Sequence, residues 1–226
     1  MNIVIKLGGH LLFGEDVDIG LLREYARLIR ELYDGSGKWV IVVGGGHVAR
    51  RYVRAARELG ADETRCDMLA VRLTRANAEL LALALGDTAE QAIPTSMEEL
   101  KTLTGRGKIV ITGGMQPGQS TMAVSALAAS LIKAERIVVA TDVDGIYTED
   151  PKRSKDARLI KQLSYEELES MMQGFSQRAG EYPVIDAVGL AMLKRVKIPL
   201  YYVNGSKLET VREAILGRSA GTIVRG

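Results

Sequence analysis

Three apolar runs in this chain each stop at a cluster of glycines. Ile3-Val4-Ile5-Lys6-Leu7 ends at Gly8-Gly9, Trp39-Val40-Ile41-Val42-Val43 at Gly44-Gly45-Gly46, and Lys108-Ile109-Val110-Ile111-Thr112 at Gly113-Gly114, with Gly118 close behind. Runs that are apolar at nearly every position read as parallel strands covered on both faces. Further strands are expected at 92–95, 136–140 and 198–203, and a short terminal one at 221–224. Between the strands the apolar period changes from continuous to helical. Helices are predicted over 18–33 (Leu21, Leu22, Tyr25, Leu28, Ile29, Leu32), 47–59 (closed by Gly60) and 64–85 (closed by Gly86, with Leu69, Leu73, Ala76 and Leu80 as its stripe). Another covers 120–133, capped by Ser120 or Thr121, with Val124, Leu127, Ala128 and Leu131 as its apolar stripe. Helices over 164–173, 184–196 and 207–216 complete an alternating α/β order.

Residues 141–163 break this pattern. They are rich in Asp, Lys and Thr, contain Pro151, and form a long excursion at the end of a strand; ordered loops of that length are usually functional. No repeat, low-complexity tract or linker interrupts the chain, so 1–226 reads as a single domain. Composition narrows the classes further. An apolar fraction of 46% over 226 residues supplies a core. Thirty basic and 28 acidic residues leave a net charge of +2, which argues for neither nucleic acid nor membrane as a partner. One cysteine, Cys66, and two histidines, His10 and His47, rule out an internal disulfide and a Cys/His zinc cluster. The first residues run straight into a strand without the features of a signal peptide, and no apolar stretch reaches membrane-spanning length; a cytoplasmic protein is expected.

Three familiar fingerprints fail. Gly44-Gly45-Gly46-His47-Val48-Ala49 fits the dinucleotide pattern, but a second strand ending in an acid is required about 20 residues on. The chain runs into the long 64–85 helix instead. Residues 113–120 fit a P-loop except that Gln119 stands where its lysine belongs. A calcium loop counted from Asp142 has glycine fourth rather than sixth and Arg153 rather than glutamate twelfth.

What remains is a set of groups suited to anions. Glycine lets the backbone approach a phosphate, and free N–H groups at a helix start point at it. Three such junctions suggest several phosphates handled together. Lys6 lies in an apolar strand, where an inward ammonium needs an anionic partner, and it can reach phosphate oxygens just beyond the strand end. Arg50 can hold a phosphate through two parallel hydrogen bonds, whereas Arg51, Arg54 and Arg57 read as a solvated face. Asp67 is either an acid favoured by the helix dipole or an acceptor for ribose hydroxyls. Thr141, Asp142, Tyr147 and Asp150 suit a nucleotide or a Mg²⁺ shell, or else organise a surface turn. No histidine, Ser/His/Asp set or reactive cysteine is placed as a general base. An acceptor that is already anionic needs none: catalysis then consists of positioning two anions and neutralising their charge.

At these residues the chain resembles the amino acid kinase family over essentially its whole length. The resemblance rests on Lys6-Leu7-Gly8-Gly9, Val43-Gly44-Gly45-Gly46 with Ala49-Arg50, Thr74-Arg75-Ala76-Asn77, Thr112-Gly113-Gly114 with Pro117-Gly118-Gln119-Ser120-Thr121, Thr141-Asp142-Val143-Asp144-Gly145-Ile146-Tyr147 with Asp150-Pro151, and Val184-Ile185-Asp186. It implies a three-layer α/β/α sandwich around a central, mainly parallel sheet. It implies an acceptor side at roughly 1–135, an ATP and Mg²⁺ side at roughly 136–226, and transfer across the C-terminal edge of the sheet. Ile185-Asp186, where relatives acting on acylated amino acids have a lysine, is most similar to the branch that converts UMP to UDP in pyrimidine nucleotide biosynthesis. By match, Gly8, Gly9 and Gly46 surround the transferred phosphoryl group and Lys6 stabilises it. Gly45, Arg50 and Asp67 hold UMP, and the loop Met115, Gln116, Pro117, Gly118, Gln119, Ser120 and Thr121 closes over its uridine and phosphate. Thr141, Asp142, Tyr147 and Asp150 line the ATP site; the Mg²⁺ ligands are not indicated. Asp142 departs from a common Asn, and Met122 from a common Asp. The resemblance also implies a homo-oligomer, a hexamer built as a trimer of dimers. The alternatives are a kinase of the same fold acting on isopentenyl phosphate or an amino-acid carboxylate, and a non-catalytic nucleotide sensor or storage protein.

Overall fold

The computed structural model describes residues 1–176 and 185–226, with side chains to 173 and from 185. In chain order its elements are β1 (Ile3–Leu7), α1 (Gly9–Leu12), α2 (Ile19–Leu32), β2 (Trp39–Val43), α3 (Gly46–Glu58), α4 (Glu63–Leu85), α5 (Met97–Leu103), β3 (Val110–Thr112) and α6 (Thr121–Ile132). They continue as β4 (Arg136–Thr141), β5 (Ile146–Tyr147), β6 (Leu159–Ile160), β7 (Gln162–Ser164), α7 (Tyr165–Ser176), α8 (Ala187–Val196), β8 (Leu200–Asn204), α9 (Leu208–Ile215) and β9 (Thr222–Arg225). The main sheet has the order β3-β2-β1-β4-β8-β9-β7. Its one antiparallel pairing is β8 with β9.

The alternation of side chains along each strand builds the layers. Ile3, Ile5 and Leu7 join Trp39, Ile41 and Val43 in a core shared with α2, α4 and α9. Val4 joins Val40, Val42, Ile137 and Val139 in a second core under α5, α6, α7 and α8. The result is the expected three-layer sandwich with a mainly parallel sheet. Lys6 follows Val4 at a spacing of two, so it shares the second face. In the register, Leu7 stands level with Val43 and Ala140. The turns after β1, β2 and β4 therefore leave from one edge, where ligands of open α/β sheets bind. No described helix is long and apolar enough to cross a membrane.

Some elements differ from expectation. Residues 92–95 form no strand: Pro94 has no N–H to give a ladder. The pairing beside β3 is made earlier, where Ala89 bridges Ile109 and Glu90 N–H donates to the Ile109 carbonyl at 2.8 Å. The predicted stripe of α4 is not its buried face: Leu69 and Leu73 are half-buried, and Ala76 and Leu80 are exposed. Its buried face is Cys66, Thr74, Asn77, Ala78, Leu81, Ala82 and Leu85, two of them polar because they bind neighbouring turns. The short α1, α5 and β7 were not expected. The 141–163 excursion contains the β5–β6 hairpin and leads into β7. Of the helix expected over 184–196, Val184 lies outside the described residues, Ile185 and Asp186 are not helical, and α8 starts at Ala187 because Asp186 caps it.

Tyr25, fully buried on α2, ties the first core to the functional edge. Its hydroxyl donates to the Gly205 carbonyl at 2.7 Å, and Gly205 N–H donates to Thr141 O at 2.6 Å. Burial pushes the phenol pKa well up, so it stays a donor. Tyr25→Phe strands the buried carbonyl and should cost about 1–2 kcal/mol in urea denaturation with an unchanged m value.

Candidate active site

The glycine turns meet before any ligand is considered. Gly44 N–H donates to the Leu7 carbonyl at 3.0 Å, and Gly8 N–H to the Ala140 carbonyl at 2.8 Å. A Cβ on Gly9 would stand 2.7 Å from Gly44 C and from Gly46 Cα. Gly46 has φ +66°, and a Cβ there would lie 2.7 Å from the Gly9 carbonyl oxygen. These positions are glycine because two backbones touch there. Gly8, Gly9, Gly45 and Gly46 form this floor and do not line the cavities described next.

Two cavities open at this edge. One, of about 480 Å³, is lined by Lys6, Arg50, Thr141 and Asp142 from the expected set. The other, of about 370 Å³, is lined by Asp67, Gln116, Gly118 and Gln119. Ser120, Thr121 and Asp186 line both and form the boundary that the two cavities share. Their backbone is fixed by capping. Ser120 accepts from Ala123 N–H at 3.0 Å at the start of α6, and Asp186 accepts from Gly189 N–H at 2.8 Å at the start of α8. Met115, Pro117, Tyr147 and Asp150 stand outside both linings. Met115 and Tyr147 pack on the second core, while Asp150 turns the excursion by accepting from Lys152 N–H at 2.9 Å.

Charge divides the cavities. The larger holds Lys6, Arg50 and Lys152 against Asp142 and Asp186, an excess of cations suited to phosphates. Among the described residues no hydrogen bond or ion pair is recorded for the Lys6 ammonium. Burial lowers its pKa, and the charges of Asp186 and Asp142 oppose that shift. Burial pushes the Asp142 carboxyl up, but its hydrogen bond and attraction to Lys152 hold it below the ordinary value. Burial and the Arg50 charge lower His10, whose Nδ1 lies 3.4 Å from Arg50 Nη2. Guanidinium can only donate, so that nitrogen is an acceptor. Burial pushes the Tyr202 phenol up to about 12 despite its bond to Thr141, leaving a neutral hydroxyl at the β4 side.

One contact across the chain links two lining residues of the smaller cavity: Gly118 N–H donates to Asp67 Oδ2 at 2.8 Å. Asp67 is not the helix cap, since Asp62 accepts from Arg65 N–H at the start of α4. Its second carboxylate oxygen has no recorded hydrogen bond among the described residues.

Sequence reasoning did not select His10, His47, Met122, Lys152, Asp186 or Tyr202 as site residues, yet all line the larger cavity. The signal for the histidines was their place directly after Gly9 and Gly46. For Asp186 it was an N-cap acid ahead of the apolar period of α8. Among the described residues no three His, Cys, Asp or Glu side chains converge as a metal cage. Asp142 and Asp186 fit the other common arrangement, a Mg²⁺ that keeps several waters, rides on nucleotide phosphates and takes one or two protein carboxylates.

A cation-rich cavity and a polar one, side by side at the C-terminal edge of a mainly parallel sheet, define an α/β protein with a site whose charge suits anions. The chain belongs to the amino acid kinase family, whose model matches residues 1–204. It is 43% identical over 224 residues to a uridylate kinase of Hyperthermus butylicus, covering 99% of this chain and 98% of that one. It is 38% identical over 229 residues to that of Methanocaldococcus jannaschii, covering all of both. Among solved structures, a uridylate kinase from Archaeoglobus fulgidus superposes with TM-score 0.88 at 35% identity, covering 99% of this chain and 100% of the other. A UMP kinase from Bacillus anthracis gives 0.82 at 25%, covering 99% and 95%.

Burying the Lys6 charge costs stability wherever the folded protein holds the proton. Because the folded pKa lies below 10.5, the unfolded chain binds more protons between the two values, and the cost is relieved as pH rises through that window. Lys6→Met should therefore melt at or above the wild-type temperature at pH 7, with its advantage shrinking towards pH 10.5. Calorimetry across that range measures this.

Proposed function

We propose that this protein is a uridylate kinase that transfers the γ-phosphoryl group of ATP to UMP, giving ADP and UDP, in cytoplasmic pyrimidine nucleotide biosynthesis. The observation that carries the reading is that Ser120, Thr121 and Asp186 line both the Asp67 cavity and the Lys6 and Arg50 cavity, which makes them the passage between the two in this reading. It agrees with full-length similarity to proteins named uridylate kinase.

In this reading the nucleoside of UMP sits against Asp67 and the 115–121 loop. The open carboxylate oxygen of Asp67 accepts from ribose, and Gln116 and Gln119 offer amides to the base. The UMP phosphate lies across the passage towards Arg50. The phosphates of ATP enter from the β4 end, past Thr141 and Asp142, with Tyr147 and Asp150 on the side of its nucleoside. An oxygen of the UMP phosphate attacks the γ-phosphorus. The new P–O bond forms as the β,γ-bridging bond breaks, and the electron pair leaves with ADP. No proton needs to be removed from the acceptor, which accounts for the missing general base. Lys6 stabilises the charge on the group in flight, with the turns at Gly8, Gly9 and Gly46 beneath it and Gly45 on the UMP side; since the Gly8 N–H is spent on the Ala140 carbonyl, the amides of Gly9 and Gly46 serve the group. Mg²⁺, when bound with ATP, neutralises its phosphates, and Asp142 and Asp186 would hold it directly or through water.

The proposal includes assembly as a trimer of dimers. Exposed Leu59, Met68 and Leu83, on and beside α3 and α4, offer apolar surface for it. Light scattering should give six times the 24.5 kDa chain mass, and a monomer would remove this part.

An ADP-release assay with Mg-ATP and a panel of UMP, CMP, AMP, isopentenyl phosphate, aspartate, glutamate and N-acetylglutamate tests the reaction. Marked selectivity for UMP is expected. Turnover of another acceptor would overturn the acceptor assignment, and silence from folded, ATP-binding protein would favour a nucleotide sensor. With UMP, Lys6→Met should lower kcat by about 10²–10³-fold with a much smaller change in KM.

A further inference from the structure

The sequence Thr74-Arg75-Ala76-Asn77 lies in the middle of α4, and its polar side chains are spent on backbone that belongs to other elements. Arg75 carries the largest share. Its Nε donates to the Gly114 carbonyl at 3.0 Å, and its Nη2 donates to the carbonyls of Met115 at 2.9 Å and Thr95 at 3.2 Å. Thr74 Oγ1 accepts from Gly114 N–H at 2.7 Å, so both backbone polar groups of Gly114 are held by α4. Asn77 Nδ2 donates to the carbonyls of Gly44 and Gly45 at 2.9 and 3.2 Å. Two turns further towards its start, the same helix presents Asp67 to Gly118 N–H.

None of the Arg75 bonds goes to a carboxylate. A guanidinium that spends its donors on three loop carbonyls fixes direction as well as distance, because its fork is planar and rigid. The charge is balanced at longer range by Glu99. That carboxylate is held below its ordinary pKa first by the N–H and hydroxyl of Thr95 and also by attraction to Arg75. Thr95 thus receives Arg75 on its carbonyl while giving its N–H to Glu99. The segment fixed in this way, 113–115, opens directly into the 116–121 loop that forms one wall of the smaller cavity and the passage.

We propose that Arg75, with Thr74, is a positioning residue for the acceptor. It locks the 113–115 turn to α4, and so sets the loop carrying Gln116 to Thr121 at the right height over Asp67. This rests on the reading of the smaller cavity as the acceptor site. Arg75 touches no substrate atom in this scheme and acts through the loop alone. Its loss should therefore weaken acceptor binding and leave the ATP side, past Thr141 at the end of β4, unaltered.

The test compares Arg75→Met, Arg75→Lys and Thr74→Val with wild type in full kinetic titrations of both substrates, alongside amide hydrogen exchange. The acceptor is whichever compound of the panel the wild type turns over. Failure with UMP thus counts against the functional reading and not against this one. Arg75→Met should raise KM for the acceptor about tenfold while KM for ATP stays within about twofold. Arg75→Lys, which keeps the charge and loses the fork, should fall between the two. Exchange at 114–121 should quicken in the variants while β1 and β4 stay protected. If Arg75→Met does not fold, the near-isosteric Thr74→Val and Arg75→Lys carry the same expectation at smaller size. A lower melting temperature with both KM values unchanged would make Arg75 a brace of the fold and overturn the proposal. So would equal changes in both KM values. If no acceptor is turned over, unchanged exchange at 114–121 overturns it.

Discussion

The contact of two backbones at Gly9 and Gly46 is the constraint on which the functional edge depends. β1 lies between β2 and β4, and the parallel register brings the ends of all three level. Any side chain at Gly9 would enter the turn after β2. With that space closed, α1 and α3 must start side by side, and both histidines, Arg50 and Lys6 are gathered above one floor. Helix α4 adds the second constraint by binding the turns after β2 and β3 through Asn77, Thr74 and Arg75. This edge is therefore built from three strand ends and a single brace.

Lys6 shows what this frame makes possible. Its neighbours across the sheet are Val42 and Val139, and its carboxylate company, Asp142 and Asp186, acts at long range. Asp142 is engaged with Lys152, and Asp186 with the first turn of α8. Among the described residues the ammonium thus has no hydrogen-bond or ion-pair partner. A buried cation of this kind lowers stability without a ligand and raises it with one, which couples binding to rigidity. In the proposed reaction, local stability is given up where charge stabilisation would act.

Much of this was legible in the sequence where a physical signal was strong. β1, β2 and β4 are apolar at nearly every position, and the glycines after the first two mark the edge. α2, α3, α4 and α6 were legible from period and caps. The segment at 92–95 misled because its apolar pattern continues through Pro94, which removes a ladder donor. β7, Gln162–Ser164, has no apolar run; its partner β9 lies far along the chain, and such pairing leaves no local trace. α5 is short, but Ser96 three residues before Glu99 was a capping signal that could have revealed it. The face of α4 was misassigned because Thr74 and Asn77 are buried for their hydrogen bonds, which hydrophobic counting ignores. At the site, glycines and charged residues within motifs were recognisable. The ring formed by His10, His47, Lys152 and Tyr202 was not, since those residues meet only when three turns and the excursion fold together.

The central claim is that Lys6 is a charge kept free for phosphate, and its own titration tests that most directly. With lysine side chains labelled for NMR, the Lys6 resonance in the free protein should titrate below the ordinary 10.5, as burial dictates. Adding ADP and UMP should move its midpoint upward, because anions then face the ammonium. A midpoint at or above 10.5 in the free protein, unmoved by both nucleotides, would mean that the ammonium is already paired and would contradict the account.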